Sequence, residues 1–116
     1  MTIRVAVLAQ DLIWQDRLAR AVEAAGATPS RAKTAPELDS ALECAKHAIV
    51  DLTARNYDPM AAIRRATGMG ARVLAVGPHD DVEVRKRALA AGAEKVLAYR
   101  KLFEDGPATL TAWIGA

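Results

Sequence analysis

Short β-branched runs alternate with amphipathic stretches along this chain, and that alternation constrains its fold more than any other feature. Ile3-Arg4-Val5-Ala6-Val7-Leu8-Ala9 is apolar almost throughout, as in a strand buried on both faces. From Asp11 the period changes. Ile13, Trp14, Arg17, Leu18, Ala21, Val22 and Ala25 mark one stripe of a helix. Gly26 stands where left-handed backbone would end it. Ala27 to Lys33 is a weaker run, and Pro29 limits it to a short edge strand at most. Thr34-Ala35-Pro36-Glu37 reads as a capping box opening a second helix, with Leu38, Ala41, Leu42 and Ala45 inward. His47 to Leu52 is the third strand. Asp58-Pro59 opens a third helix, with Met60, Ile63 and Ala66 inward, closed by Thr67-Gly68-Met69-Gly70. Arg72 to Val76 is a strand closed by Gly77-Pro78. Asp80-Asp81-Val82-Glu83 caps a fourth helix reaching Ala91, with Gly92 as its stop. Lys95 to Ala98 is the fifth strand, and Asp105-Gly106-Pro107 begins a last helix carrying Leu110, Trp113 and Ile114.

Strands and helices in strict alternation, joined by short connections, predict one α/β domain over residues 1–116. The expected architecture is doubly wound and flavodoxin-like: a five-stranded parallel sheet of order 2-1-3-4-5 with helices on both faces. Ligands and chemistry in such sheets gather at the carboxyl ends of the strands. Those ends carry Ala9-Gln10-Asp11, Asp51, Gly77-Pro78 and Tyr99.

Composition narrows the function. Of 116 residues 52% are apolar, but 26 are alanine, so the core must be closely layered rather than bulky. Ala21, Ala25, Ala41, Ala45, Ala62, Ala66, Ala88 and Ala91 fall where helices lie against a sheet. No apolar run is long enough to span a membrane, and the first residues do not read as a signal peptide. The one cysteine, Cys44, excludes an internal disulfide and a multi-cysteine metal site. The expectation is a cytoplasmic protein. A net charge of +2 is too small to imply nucleic acid as a partner by itself, and none is expected. Neither a P-loop nor a G-x-G-x-x-G follows the first strand, so no nucleotide or flavin cofactor is expected.

Three stretches resemble a response-regulator receiver domain, and the resemblance covers essentially the whole chain. Arg4 to Gly26 matches its first strand, turn and first helix. Ile49-Val50-Asp51-Leu52, with Asp58 downstream, resembles its phosphoacceptor strand and loop. Ala90-Ala91-Gly92-Ala93-Glu94 looks like the turn before its fifth strand. The resemblance implies Asp51 as the phosphoacceptor position. It also implies a pocket with most of its parts replaced. Ala9 and Gln10 stand where two acidic residues would hold Mg²⁺, with Asp11 one position beyond. Gly77 replaces a hydroxyl residue, Tyr99 a lysine, Val96 a switch aromatic and Arg55 a loop proline. Phosphoryl transfer rests on positioning and charge stabilisation by metal and cation. The chain is therefore expected to be a non-enzymatic, bacterial-type pseudo-receiver without a bound metal. The alternative is an atypical phosphoacceptor in a two-component phosphorelay, phosphorylated at Asp51, with Asp11 supplying a carboxylate and Arg100 or Lys101 the cation.

Each residue also has a plainer reading. Asp51 would be a strand-end carboxylate, hydrogen-bonded to loop amides or paired with Arg55, Arg100 or Lys101. Cys44 would be a small packing residue on the second helix, and His47 a solvated residue before a strand. His79 lies near the expected pocket. Arg85-Lys86-Arg87 would be a solvated helix face. In receivers the side made by the fourth helix, fifth strand and fifth helix commonly meets partners. Arg85, Val96, Tyr99, Arg100 and Lys101 are the candidates for such a surface here, for a protein partner or for self-association. Trp113 and Ile114 either pack on the sheet or help dimerisation. With no output domain after Trp113, the expected route of action is through a partner.

Overall fold

The computed structural model describes residues 3–78 and 80–115; the expectation for His79 lies outside the described residues. The elements run β1 (Arg4–Leu8), α1 (Leu12–Ala24), β2 (Thr28–Ala32), α2 (Ala35–Leu42), β3 (His47–Asp51), α3 (Pro59–Gly68), β4 (Arg72–Gly77), α4 (Val82–Ala91), β5 (Lys95–Ala98) and α5 (Tyr99–Gly115). All strand pairs are parallel, and the sheet order is β2-β1-β3-β4-β5. Pro29 sits in β2 opposite Val5, on an edge strand where a missing N–H costs no interior ladder bond. Among the described residues no helix is long and apolar enough to cross a membrane.

The strand residues divide by parity, as the two-residue pleat requires. Val5, Val7, Ile49, Leu74 and Val76 meet Leu18, Val22, Leu102, Leu110 and Trp113 under α1 and α5. Ala6, Leu8, Ala48, Val50, Val73 and Ala75 meet Leu38, Leu42, Met60, Ile63, Ala66 and Ala88 under α2, α3 and α4. The alanines of the strands are concentrated on the three-helix face. Ala6 stands beside Ala48, and Val50 beside Ala75, in register. Small side chains there let three helices approach the sheet without voids.

Carboxylate and hydroxyl caps fix where the helices begin. Asp11 accepts from the N–H groups of Ile13 and Trp14, and Asp58 from those of Met60 and Ala61. Thr34 caps α2 and Asp81 caps α4. The Glu37 carboxylate reaches back to the N–H of Lys33, one residue before its usual place in a capping box.

One sequence expectation is extended and two need correction. Helix already begins at Tyr99, directly after β5, and the piece expected from Asp105-Gly106-Pro107 follows a non-helical break at Asp105. Pro107 lacks an N–H and crowds the preceding turn, so the helix kinks at Asp105, where φ is −132°. The Asp-Gly-Pro signal marks a break inside α5. Its first turns are braced by Arg100–Glu104 and Lys101–Asp105 ion pairs. Cys44 is exposed in the turn after α2 instead of packing on that helix. His47 is not solvated: both ring nitrogens are buried with no hydrogen-bond partner among the described residues, and its ring stands edge-on to Trp113 at 5.1 Å.

Burial, reinforced by the Arg72 charge, lowers the His47 pKa from its usual 6.5. The unfolded chain therefore binds more protons below that pH, and stability rises with pH across the window. Thermal melts should show stability falling as the pH drops from neutral through 6.5 toward the onset of carboxylate titration. A His47→Leu variant should show a flat response over the same interval.

Gly92 ends α4 at φ +126°, and a Cβ there would lie 2.6 Å from the Thr67 hydroxyl. Gly92→Ala should cost about 1–3 kcal/mol from backbone strain, with steric cost added. Thr67→Ala in the same chain should recover part of the steric cost and none of the backbone cost. Full recovery in the double variant, read from urea midpoints, would show that the backbone conformation contributes nothing.

Candidate functional site

The parallel register brings the carboxyl ends of β1, β3, β4 and β5 to one edge, and with them Ala9, Gln10, Asp11, Asp51, Gly77 and Tyr99. Asp51 is the last residue of central β3 and is 1% exposed. A carboxylate at that depth needs partners. Its Oδ1 accepts from the Thr53 N–H at 2.9 Å, from the Thr53 hydroxyl at 2.8 Å and from the Tyr99 hydroxyl. The two hydroxyl oxygens also lie 2.8 Å apart. They bring two protons to three contacts, so the cluster is a closed triangle around one carboxylate oxygen.

The Thr53 N–H is a loop amide of the kind expected for Asp51, whereas the expected pairing with a base is corrected. Arg100 and Lys101 are turned to Glu104 and Asp105, and Arg55 offers its backbone N–H to Gln10. A tyrosine hydroxyl and a threonine take the place expected for a cation.

A second tyrosine supports the strand end from below. The buried Tyr57 hydroxyl donates to the Asp51 carbonyl at 2.7 Å and reaches the Leu8 carbonyl at 3.2 Å. Burial is the main cause that raises its pKa, with the Asp51 charge adding to it. Burial and then the hydrogen bond to Asp51 likewise push the Tyr99 phenol up. Both tyrosines therefore stay protonated donors around Asp51.

Gln10 is already engaged. Its Oε1 accepts from the N–H groups of Arg55 at 2.7 Å and Asn56 at 3.3 Å, tying the β3–α3 loop to the end of β1. Asp11 spends Oδ1 on the α1 cap. Ala9 is fully buried, and its carbonyl accepts from the buried Gln15 amide, which also donates to the Ala32 carbonyl. The pocket that remains is about 370 Å³, bounded by Gln10, Asp11, Asp51, Thr53, Ala54 and Arg55. The donor set does not suit Mg²⁺. A hard dication wants several oxygen ligands; Ala9 has no side-chain oxygen, Gln10 serves the loop and Asp11 caps a helix. Among the described residues no three acidic, histidine or cysteine side chains cluster in metal-binding fashion. A Cβ on buried Gly77 would sit 3.3 Å from the Leu52 Cβ, so a side chain there would press on the loop after β3.

The five residues expected to form one interaction surface are divided. Val96 packs with the core under α2, α3 and α4, whereas Tyr99 packs with the core under α1 and α5. Arg85 is half-buried, and only Arg100 and Lys101 are exposed. Tyr99 instead stacks on Trp14 with ring centres 3.9 Å apart. Trp113 is 1% exposed, so it belongs to the core and offers nothing to a dimer.

Sequence reading missed Thr53, Tyr57, Gln15 and Trp14. The usable signal was chemical economy: in a chain with two tyrosines, one directly follows β5 and the other lies in the loop after β3, where an apolar role alone is a poor use of a hydroxyl.

Neither a protein-family model nor a curated protein matches the sequence. Solved structures do match its shape. A response regulator from Thermotoga maritima superposes with a TM-score of 0.84 at 19% identity, over 100% of both chains. A CheY-like receiver domain protein from Methanospirillum hungatei JF-1 gives 0.76 at 20% identity, over 97% of this chain and 96% of its own. A protein described as a pilus assembly protein, cpaE, from Burkholderia thailandensis E264 gives 0.80 at 20% identity, over 99% and 100%. The chain has the receiver fold.

Proposed function

We propose that this chain is a receiver-like signalling module that acts through protein contact and does not use metal-dependent phosphorylation. The observation that carries this reading is the closure of Asp51 Oδ1 by the Tyr99 and Thr53 hydroxyls. A phosphoryl group would have to bond to the remaining oxygen, Oδ2, while neutral hydroxyls hold Oδ1. It would do so without the charge stabilisation that carries most of such a reaction. A loss of several kcal/mol at about 1.4 kcal/mol per factor of ten puts the reaction out of useful range. No catalytic role is proposed. The proposed setting is the cytoplasm, with a protein partner.

A second reading has one observation in its favour. Asp51 still borders an open pocket beside Arg55, which is where a phosphoacceptor would need to lie. Incubation with Mg²⁺ and acetyl phosphate, followed by intact-mass measurement, separates the two. The expected result is no mass gain in the wild-type chain. A gain of one phosphoryl group that disappears in Asp51→Ala would overturn the proposal.

A further inference from the structure

The seam between α1 and α5 is where aromatic surface stays exposed. Phe103 is 63% exposed and Trp14 half-buried. Trp14 stands edge-on to Phe103 with ring centres 6.2 Å apart. Between the helices runs a groove of about 340 Å³, with Ala21 and Leu102 among its lining. Arg17 lies over both rings, its guanidinium carbon 5.3 Å from the Trp14 centre and 4.4 Å from that of Phe103. A guanidinium stacked in this way still has N–H edges available to a carboxylate.

The charges at the seam say what would cover it. Among the described residues Arg17 has no carboxylate partner. The nearby carboxylates are taken: Asp16 is shared by Arg20 and Arg31, and Glu104 is held by Arg100. Arg20 also borders the groove. A second copy of this chain, docked seam to seam about a twofold axis, would set Arg17 and Arg20 against their own copies, with Asp16 and Glu104 already paired. An acidic partner meets no such conflict.

We propose that the α1–α5 seam is a docking groove for an amphipathic helical segment of a partner protein. A bulky apolar side chain of that segment enters beside Trp14 and Phe103, and an acidic side chain meets Arg17. The groove is joined to the strand-end pocket through one ring: Trp14 stacks on Tyr99, whose hydroxyl holds Asp51. The assignment deepens the reading of the chain as an interaction module and rests on it.

The test is a selection from a displayed library of amphipathic helices of about four turns, using the full chain as target. Exposed residues supply the control variants, Arg17→Glu and Phe103→Ser, whose folding is checked by thermal melts. The expected winners carry a bulky apolar anchor flanked by Asp or Glu. A synthetic copy of the strongest should shift the Trp14 indole N–H resonance and leave that of buried Trp113 in place. Each variant should weaken binding by about tenfold or more, the effect of about 1.4 kcal/mol. Lysine-for-glutamate exchange in the peptide should restore binding to Arg17→Glu. Several outcomes would overturn the groove: no enrichment, basic winners, or winners that bind both variants as well as the wild type. Self-association of the free chain that Phe103→Ser abolishes would give the seam to a second copy instead. Phosphorylation of Asp51 in the mass experiment would leave the groove standing, so the two proposals fail separately.

Discussion

Trp113→Ala is expected to cost about 3–5 kcal/mol, a large share of the roughly 5–15 kcal/mol that holds a domain of this size together. Trp113 is the largest fully buried side chain. It fills the space under α5 against β1, β3 and β4, beside Val5, Ile49 and Leu74. The surrounding strands are fixed by ladder bonds on both sides, so the space left by the indole cannot close. His47 would lose the ring it stands against, and the Arg72 guanidinium the face it lies over at 5.8 Å. Trp113→Phe should cost clearly less. It keeps most of the ring volume and removes an indole N–H that has no hydrogen-bond partner among the described residues. Urea midpoints that place the alanine and phenylalanine variants together would mean the site collapses freely, contrary to this packing.

The contrast between Trp113 and Tyr99 shows what could be read from sequence. Trp113, Leu110 and Ile114 follow helical spacing, and that period alone places a stripe on the sheet. The edge position of β2 and the helix starts at Thr34, Asp58 and Asp81 were legible for the same reason, each depending on neighbours within a few residues, while strand order followed from the alternation of elements. Asp51, Gln10, Asp11, Gly77 and Tyr99 were legible as one site because parallel strands deliver their carboxyl ends to one edge. What bonds to what was not. The Asp51–Tyr99 hydrogen bond spans 48 positions and depends on α5 beginning immediately after β5. A start at Asp105 would leave Tyr99 in a loop; a start at Tyr99 fixes its ring against α1. The choice of tyrosine over arginine as the partner of Asp51 therefore followed from a helix boundary, the least predictable feature of a sequence.

The same bond has a consequence in alkali. Tyr57 and Tyr99 both touch Asp51, one at its carbonyl and one at its carboxylate. Both phenols are held above their ordinary value of 10, chiefly by burial and also through Asp51. In the unfolded chain they titrate near that value, so above it the folded protein binds more protons. Their contribution is fully present below pH 10 and declines as the pH rises beyond it. One such group changes stability by at most about 1.4 kcal/mol per pH unit. Tyr57, 9% exposed, should approach that limit, while Tyr99, whose ring reaches solvent, should fall short of it. Urea unfolding one pH unit above 10 should find the wild type losing more stability than a Tyr57→Phe/Tyr99→Phe variant, which shares its lysines and so cancels their titration. At neutral pH the double variant should already be weaker, by about 1–3 kcal/mol for each lost hydrogen bond to a buried acceptor. The two effects oppose each other along the pH axis. If the phenols hold Asp51 as described, the stability curves of wild type and double variant converge with rising pH. Parallel curves would mean that neither hydroxyl is held by the strand end.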